Sequence, residues 1–297
     1  MKTALFTAMA AAGLGFLLIW AIAIIRSAGR RSVPDARDLG IGFITNLFDT
    51  LGIGSFATTT AFFKLWGMVA DDLIPGTLVI GHAPPSLLQA FIFIAVIQVD
   101  FTTLVLMIAS SAIGAWLGAG VVSRWPKAKI RIGMGAALLA AAGIMTMAQL
   151  GWLPGGGSGL ALEGPRLALA VAANMLFGAL MTLGIGLYAP CMITVSLLGM
   201  NPRAAFPIMT GSCGVLMSVG SVRFIRTARY NLKAALGLTA GGVPGVLLAA
   251  FVVKSLPLGA VRWLVVAVVV YTAAMMLRSA TLERARPSDL GEAPQEL

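Results

Sequence analysis

The sequence predicts an all-α polytopic membrane protein of two homologous halves arranged as inverted repeats. Each half is opened by a Gly-interrupted (re-entrant or broken) helix, and one extra transmembrane helix stands at the N-terminus. Three observations predict this. First, 59% of the 297 residues are hydrophobic and only 11% charged, with a mean hydropathy of +0.94, whereas soluble domains carry about 25% charged residues. Second, the apolar residues gather in runs of about 20, the length of a membrane-crossing helix and not of the roughly 10-residue alternating strands of an outer-membrane barrel. Third, Thr50-Leu51-Gly52-Ile53-Gly54 recurs letter for letter as Thr182-Leu183-Gly184-Ile185-Gly186, an offset of 132 residues. The register continues through Ala57/Ala189, Gly67/Gly199, Met68/Met200 and Pro75/Pro207, then at an offset of 131 through Gly114/Gly245, Val121/Val252, Pro126/Pro257 and Arg131/Arg262. A register held over about 80 residues marks an internal duplication.

Residues 1–37 supply the N-terminal helix and a basic loop. Thr3 to Ile25 is one apolar run, preceded by Lys2 and containing Ala21-Ile22-Ala23, which resembles a signal-peptidase site. The run continues past that site, and Arg26, Arg30, Arg31 and Arg37 follow it. This favours a retained anchor with its C-terminal end in the cytoplasm. Residues 38–150 form the first transmembrane repeat. Its interrupted segment, 39–66, has two pieces of about 13 residues, each too short to cross a ~30 Å core at about 1.5 Å per residue. The whole either crosses once or turns back as a hairpin. Apolar segments at 73–97, 101–122 and 130–150 follow. Residues 151–165, with Gly155-Gly156-Gly157-Ser158-Gly159, read as a flexible linker. Residues 166–280 repeat the order, with an interrupted segment at 167–198 and apolar segments at 205–222, 233–253 and 258–278. The tail 281–297 is polar, contains proline and reads as disordered and cytoplasmic.

Charge separates the two readings of the interrupted segments. If each crosses once, 12 of the 21 Lys and Arg residues fall on the cytoplasmic side. If each dips in and returns, Lys64 and the cluster Arg124, Lys127, Lys129, Arg131 join that side and Arg166 leaves it. That places 16 inside and leaves only Lys2, Arg166, Arg203, Lys254 and Arg262 outside. The positive-inside rule favours the return. Three crossings plus a hairpin per half is an odd count, so the halves face opposite ways, as in many secondary transporters. The net charge of +10 therefore reads as cytoplasmic loops, not as a nucleic-acid surface. The basic loops Arg124–Arg131 and Arg223–Lys233 set topology, with contact to acidic lipids a secondary role. Two cysteines in apolar surroundings give no disulfide framework.

The candidate chemistry sits at the glycine turns. Glycine lets the backbone break, and a helix starting beyond the break aims free N–H groups and its positive dipole end at whatever lies there. In the first half this start is Gly52, Ile53, Gly54 and Ser55, with Thr58 and Thr59 adding hydroxyls. In the second it is Gly184, Ile185, Gly186 and Tyr188, with Cys191 nearby. Two such starts meeting near the midplane make a cradle for a small anion without burying Arg or Lys. The competing reading is that the glycines serve close packing or kinks. Gly114-x-x-x-Gly118 and Gly241-x-x-x-Gly245, in uninterrupted helices, read as packing motifs. Thr210 and Ser212 are further candidate lining groups, although such hydroxyls also bond their own helix. Asp49, three residues before Gly52, is an intramembrane carboxylate and a candidate proton carrier, against a role as a helix cap. His82, the single histidine, is the second proton-coupling candidate, against a role in packing. No second histidine or Cys/His spacing supports a metal site, and no cofactor is expected. The partners expected are the bilayer, a small anionic substrate and protons, with no nucleic acid; a homo-oligomer is compatible with the pattern.

The Leu51-Gly52-Ile53-Gly54 segment, the Gly76-Thr77 pair in the next helix and the duplication of the pattern resemble the TauE/SafE-type sulfite exporter family, the TSUP permeases. The resemblance covers roughly residues 38–279. The family motif usually runs on into further glycines, whereas these copies continue as Gly54-Ser55-Phe56 and Gly186-Leu187-Tyr188. The resemblance implies export of sulfite, an organosulfonate or a related sulfur-containing anion across a bacterial inner membrane. It also makes the N-terminal helix an addition. The chain carries no Walker motif, so the expectation is a secondary transporter and not an enzyme. The rivals are a membrane thiol oxidoreductase using Cys191 and Cys213, both in one half, and a passive anion channel.

Overall fold

The computed structural model describes residues 2–26, 33–70, 72–121, 127–152, 157–181 and 186–285. These residues form eleven α-helices: α1 (Lys2–Arg26), α2 (Ala36–Thr50), α3 (Ser55–Leu65), α4 (Ile74–Val96), α5 (Phe101–Val121), α6 (Lys127–Gln149), α7 (Gly164–Met181), α8 (Tyr188–Leu197), α9 (Ala205–Arg226), α10 (Leu232–Ser255) and α11 (Leu258–Ala285). Six helices are long and apolar enough to cross a membrane, within Thr3–Arg26, Ile74–Val96, Gly164–Met181, Pro202–Arg226, Leu232–Val252 and Gly259–Thr281. The chain is thus a multi-pass helical membrane protein. Helix α11 runs five residues into the stretch expected to be an unstructured tail; residues 286–297 lie outside the described residues, as do 153–156 of the Gly-rich linker.

Short polar side chains cap α2, α5 and α10. Asp35 Oδ1 accepts from the N–H groups of Arg37 and Asp38 at 2.9 and 3.0 Å, and Asp38 Oδ2 accepts from Asp35 N at 3.1 Å, a reciprocal cap on α2. Asp100 caps α5 through Thr103 N at 2.8 Å, and Asn231 caps α10 through Ala234 N at 3.0 Å. Asp100 and Asn231 stand 131 residues apart, the offset of the sequence repeat. Lys233 Nζ lies 2.8 Å from Asp35 and 3.4 Å from Asp38, tying the starts of α2 and α10 together. That ammonium holds the Asp35 carboxyl well below the ordinary carboxylate range.

Packing between helices repeats at the offset of the duplication. A Cβ on Gly42 would meet Leu238 of α10, and Asn174 Nδ2 donates to Met107 O of α5. Gly245 lies against the Phe43 carbonyl, and Gly114 against that of Met175. Gly242 lies against Asn46, and Gly178 against the Ser111 carbonyl. Helix α2 therefore packs on α10 as α7 packs on α5, residue for residue. Between the two pairs, α4 and α9 run antiparallel. Ser86 Oγ reaches Met217 Sδ at 3.5 Å, Ser221 Oγ donates to Val79 O at 3.3 Å, and Asn231 N donates to Thr77 Oγ1 at 2.9 Å. Helices α6 and α11 are antiparallel too, with Arg131 donating to Ser279 Oγ at 3.1 Å and Gly135 facing Leu277. Helix α1 lies outside both sets, against α9 and α4.

Helix α4 carries Pro84 and Pro85 in its interior. Proline has no N–H, so the carbonyl four residues back loses its helical donor. For Pro85 that carbonyl belongs to Gly81, and Thr239 Oγ1 of α10 supplies the missing bond at 2.9 Å.

Candidate functional site

Helix α2 ends at Thr50 and α3 starts at Ser55. Between them Gly52 (φ +99°) and Gly54 (φ +86°) adopt the left-handed region that favours glycine. The chain reverses there. Phe63, near the end of α3, is packed with Ile41 of α2 and with Ile74 and Leu78 at the start of α4. So α2 and α3 form a hairpin whose tip lies in the interior. At roughly 22 Å, 15 residues of α2 do not span a bilayer core. Helices α7 and α8 are placed the same way: Gly199, just past α8, lies 3.6 Å (as a built Cβ) from Arg166 near the start of α7.

At the first tip, Asp49 is buried, 3% exposed. Its Oδ1 accepts the backbone N–H of Ser55 at 2.7 Å, the first residue of α3. Its Oδ2 accepts from Gln89 Nε2 of α4 at 2.9 Å. Gln89 Oε1 in turn accepts from Tyr188 OH at 3.0 Å. Tyr188 is the first residue of α8, so this chain of bonds joins one hairpin tip to the start of the other short helix. Met192 of α8 completes the contact, its Sδ 2.9 Å from where a Cβ on Gly52 would stand. Ser55 Oγ is buried beside the carboxylate without a hydrogen-bond partner.

His82 is fully buried one layer away. Its Nδ1 lies 3.0 Å from Asn46 Oδ1 and its Nε2 3.0 Å from Thr59 Oγ1. Asn46 Nδ2 donates to Gly42 O at 2.8 Å, which fixes the amide with its oxygen toward the ring. His82 Nδ1 therefore carries the proton, and Nε2 accepts from the Thr59 hydroxyl. Asn46 and Asp49 are one turn apart on α2, and His82 and Gln89 two turns apart on α4, so the two layers stack along one seam.

The other predicted site residues are scattered. Ile53 is half-buried on the core. Thr58 Oγ1 bonds the Ser55 carbonyl of its own helix at 2.9 Å, and Thr210 Oγ1 the Phe206 carbonyl at 2.7 Å. Ser212 Oγ accepts from Asn174 Nδ2 at 3.2 Å, in a separate cluster with α7 and α5. Gly184 and Ile185 lie outside the described residues, and Gly186 is exposed. Cys191 and Cys213 are free and buried, and Cys213 Sγ contacts Met181 Sδ at 3.7 Å. Among the described residues no group of three His, Cys, Asp or Glu side chains could hold a metal. A cleft of about 400 Å³ lies at the open end of the α7–α8 hairpin, lined by Glu163, Arg166 and Gly199 among others, away from the Asp49 seam.

Sequence reasoning did not single out Asn46 or Gln89. Their signal is an uncharged amide inside an apolar helix, in helical register with Asp49 and with His82.

The fold and seam define an all-helical, multi-pass membrane protein with an internally repeated packing and a buried carboxylate where the starts of α3 and α8 meet α4. Comparison of the chain with models of known families, with curated proteins and with solved structures gives no match.

Proposed function

We propose that this chain is a secondary transporter of a small anion, bound where the two hairpin tips meet and coupled to protons through Asp49. One observation carries the reading: the bond chain from Tyr188 through Gln89 to Asp49, which ends on the N-terminus of α3. It brings a titratable group to the start of α3 at one interior point, reached from both halves. The antiparallel pairs α4/α9 and α6/α11 join equivalent helices of the two halves. Equivalent helices running in opposite directions are what an inverted repeat produces, and inverted repeats with broken segments at the midplane suit alternating access. His82, with both ring nitrogens bonded, orients the seam between α2, α3 and α4, and Asp49 takes the proton.

The substrate class follows from the resemblance to the sulfite exporter family: sulfite, an organosulfonate or a related sulfur-containing anion, moved outward across a bacterial inner membrane. The excess of Lys and Arg on one side puts the C-terminus in the cytoplasm. The test is flux in proteoliposomes with a trapped pH indicator. An outward gradient of thiosulfate or isethionate is expected to move protons with the anion, and Asp49→Asn to abolish the proton movement. Anion flux without protons makes the chain a channel, and absence of flux with every anion removes the reading.

A further inference from the structure

Asp49 does more than sit near the expected anion cradle of the first half: it fills it. The carboxylate Oδ1 stands 2.7 Å from the first N–H of α3, where the helix dipole and the free N–H groups favour a negative charge. An external anion cannot use that N-terminus while the side chain holds it. Ser55 Oγ, at the same point, is 2% exposed as a residue and has no partner, so one buried donor there is left for a ligand. Among the described residues the second half shows no equivalent plug: Met181 stands where the first has Asp49, and its sulfur lies 3.7 Å from Cys213 Sγ.

We infer that the Asp49 carboxylate is a tethered competitor of the transported anion, released from the N-terminus of α3 when it takes up a proton. This rests on the anion-transport reading and specifies its coupling. A proton from solution binds a carboxylate oxygen of Asp49. The neutral acid leaves the Ser55 N–H, and the incoming anion accepts from that N–H and from Ser55 Oγ–H. The buried charge is one negative before the exchange and, for a monovalent substrate, one negative after it. The interior thus never holds two unpaired negative charges, which would be far more costly. One proton therefore accompanies each monovalent anion and the step is electroneutral. The titratable side chains on the elements packed around Asp49 are Tyr188 and Cys191 of α8, Cys213 of α9 and His82 of α4. Arg37 and Asp38 of α2, Lys64 of α3, Arg223 and Arg226 of α9, Lys233 of α10 and Arg262 and Arg278 of α11 stand toward the ends of their helices.

The test is thermal stabilisation of the purified full chain, since an anion that binds the folded state raises its melting temperature. The probes are methanesulfonate, isethionate and formate at about pH 5.5 and about pH 8.5; sulfite is left out because it titrates in this range and thiosulfate because it is divalent. Wild type is expected to bind the first two with an affinity that falls up to about tenfold per pH unit as the pH rises above the pKa of Asp49. Asp49→Ala is expected to melt lower without anions and to be restored by formate, which replaces the missing carboxylate. It is also expected to bind isethionate equally at both pH values. Asp49→Asn, which keeps the shape, is expected to lose the pH dependence as well. An anion affinity with the same pH slope in wild type and in both variants overturns the inference and leaves anion transport standing. A wild type that no anion stabilises, together with an Asp49→Ala that formate does not restore, overturns both. Restoration by formate without any effect of methanesulfonate or isethionate keeps the competitor and rejects the sulfonate substrate.

Discussion

At the residue scale, the hairpin tip turns on two glycines with different constraints. Gly52 has a positive φ, and a Cβ there would stand 2.9 Å from Met192 Sδ. Gly54 has a positive φ but open space around it. An alanine at Gly54 meets no neighbour but must hold a backbone conformation nearly exclusive to glycine, about 1–3 kcal/mol. An alanine at Gly52 meets backbone strain as well and must also move a methionine that belongs to the other half, which adds about 1–3 kcal/mol. Gly52→Ala is thus expected to lower the melting temperature more than Gly54→Ala, and an additional Met192→Ala to recover part of the difference. Equal effects would show that Met192 does not press on the α2–α3 turn. The glycines were legible because the pentapeptide is duplicated. The cap was not: Asp49 bonds a backbone N–H six residues on, across a turn set by two positive-φ residues, and no local pattern encodes that bond. Gln89 and Tyr188 are 99 residues apart, so their hydrogen bond is a product of the fold alone.

At the element scale, the helices meet through glycines that leave no room for a side chain. Gly245 lies on the carbonyl of Phe43, and its repeat mate Gly114 lies on that of Met175. In a membrane, apolar side chains gain nothing by leaving lipid for protein, so close backbone approach carries more of the association. Gly114→Ala and Gly245→Ala should each push a helix pair apart and cost about 1–3 kcal/mol. Gly143→Ala on α6, where nothing lies within 4 Å, should be neutral or stabilising by up to about 1 kcal/mol. Unfolding midpoints in detergent measure all three, and a similar loss at the two repeat mates is the signature of equivalent interfaces. The small-residue spacing around Gly114 and Gly241 was readable as packing. The partners were not, since parallel pairing of α2 with α10 crosses the boundary between the halves.

At the scale of the whole molecule, whether α2 and α3 turn back within the membrane or cross it decides which side each loop faces. The order of segments was legible because each is an apolar run of membrane-crossing length. The return of α3 was favoured only through counting Lys and Arg, because a bent segment and a crossing one have the same hydropathy. Packing of Phe63 with Ile41, Ile74 and Leu78 returns α3 to the level where α2 began. Val33, before α2, and Leu65, at the end of α3, are 80% and 74% exposed, and Trp152, after α6, is 74% exposed. If α2 and α3 form a re-entrant hairpin, Val33→Cys and Leu65→Cys face one side of the membrane and Trp152→Cys the other. A segment that crosses once puts Val33 and Trp152 together and Leu65 opposite. Labelling with a membrane-impermeant thiol reagent, in intact cells and then in inverted vesicles, separates the two patterns. The native thiols of Cys191 and Cys213 are buried and contribute little background. The hairpin pattern is expected. Leu65→Cys labelled from the same side as Trp152→Cys, or from the side opposite Val33→Cys, would rule it out. The proton path to Asp49 would then have to be sought along a crossing helix instead of between two tips.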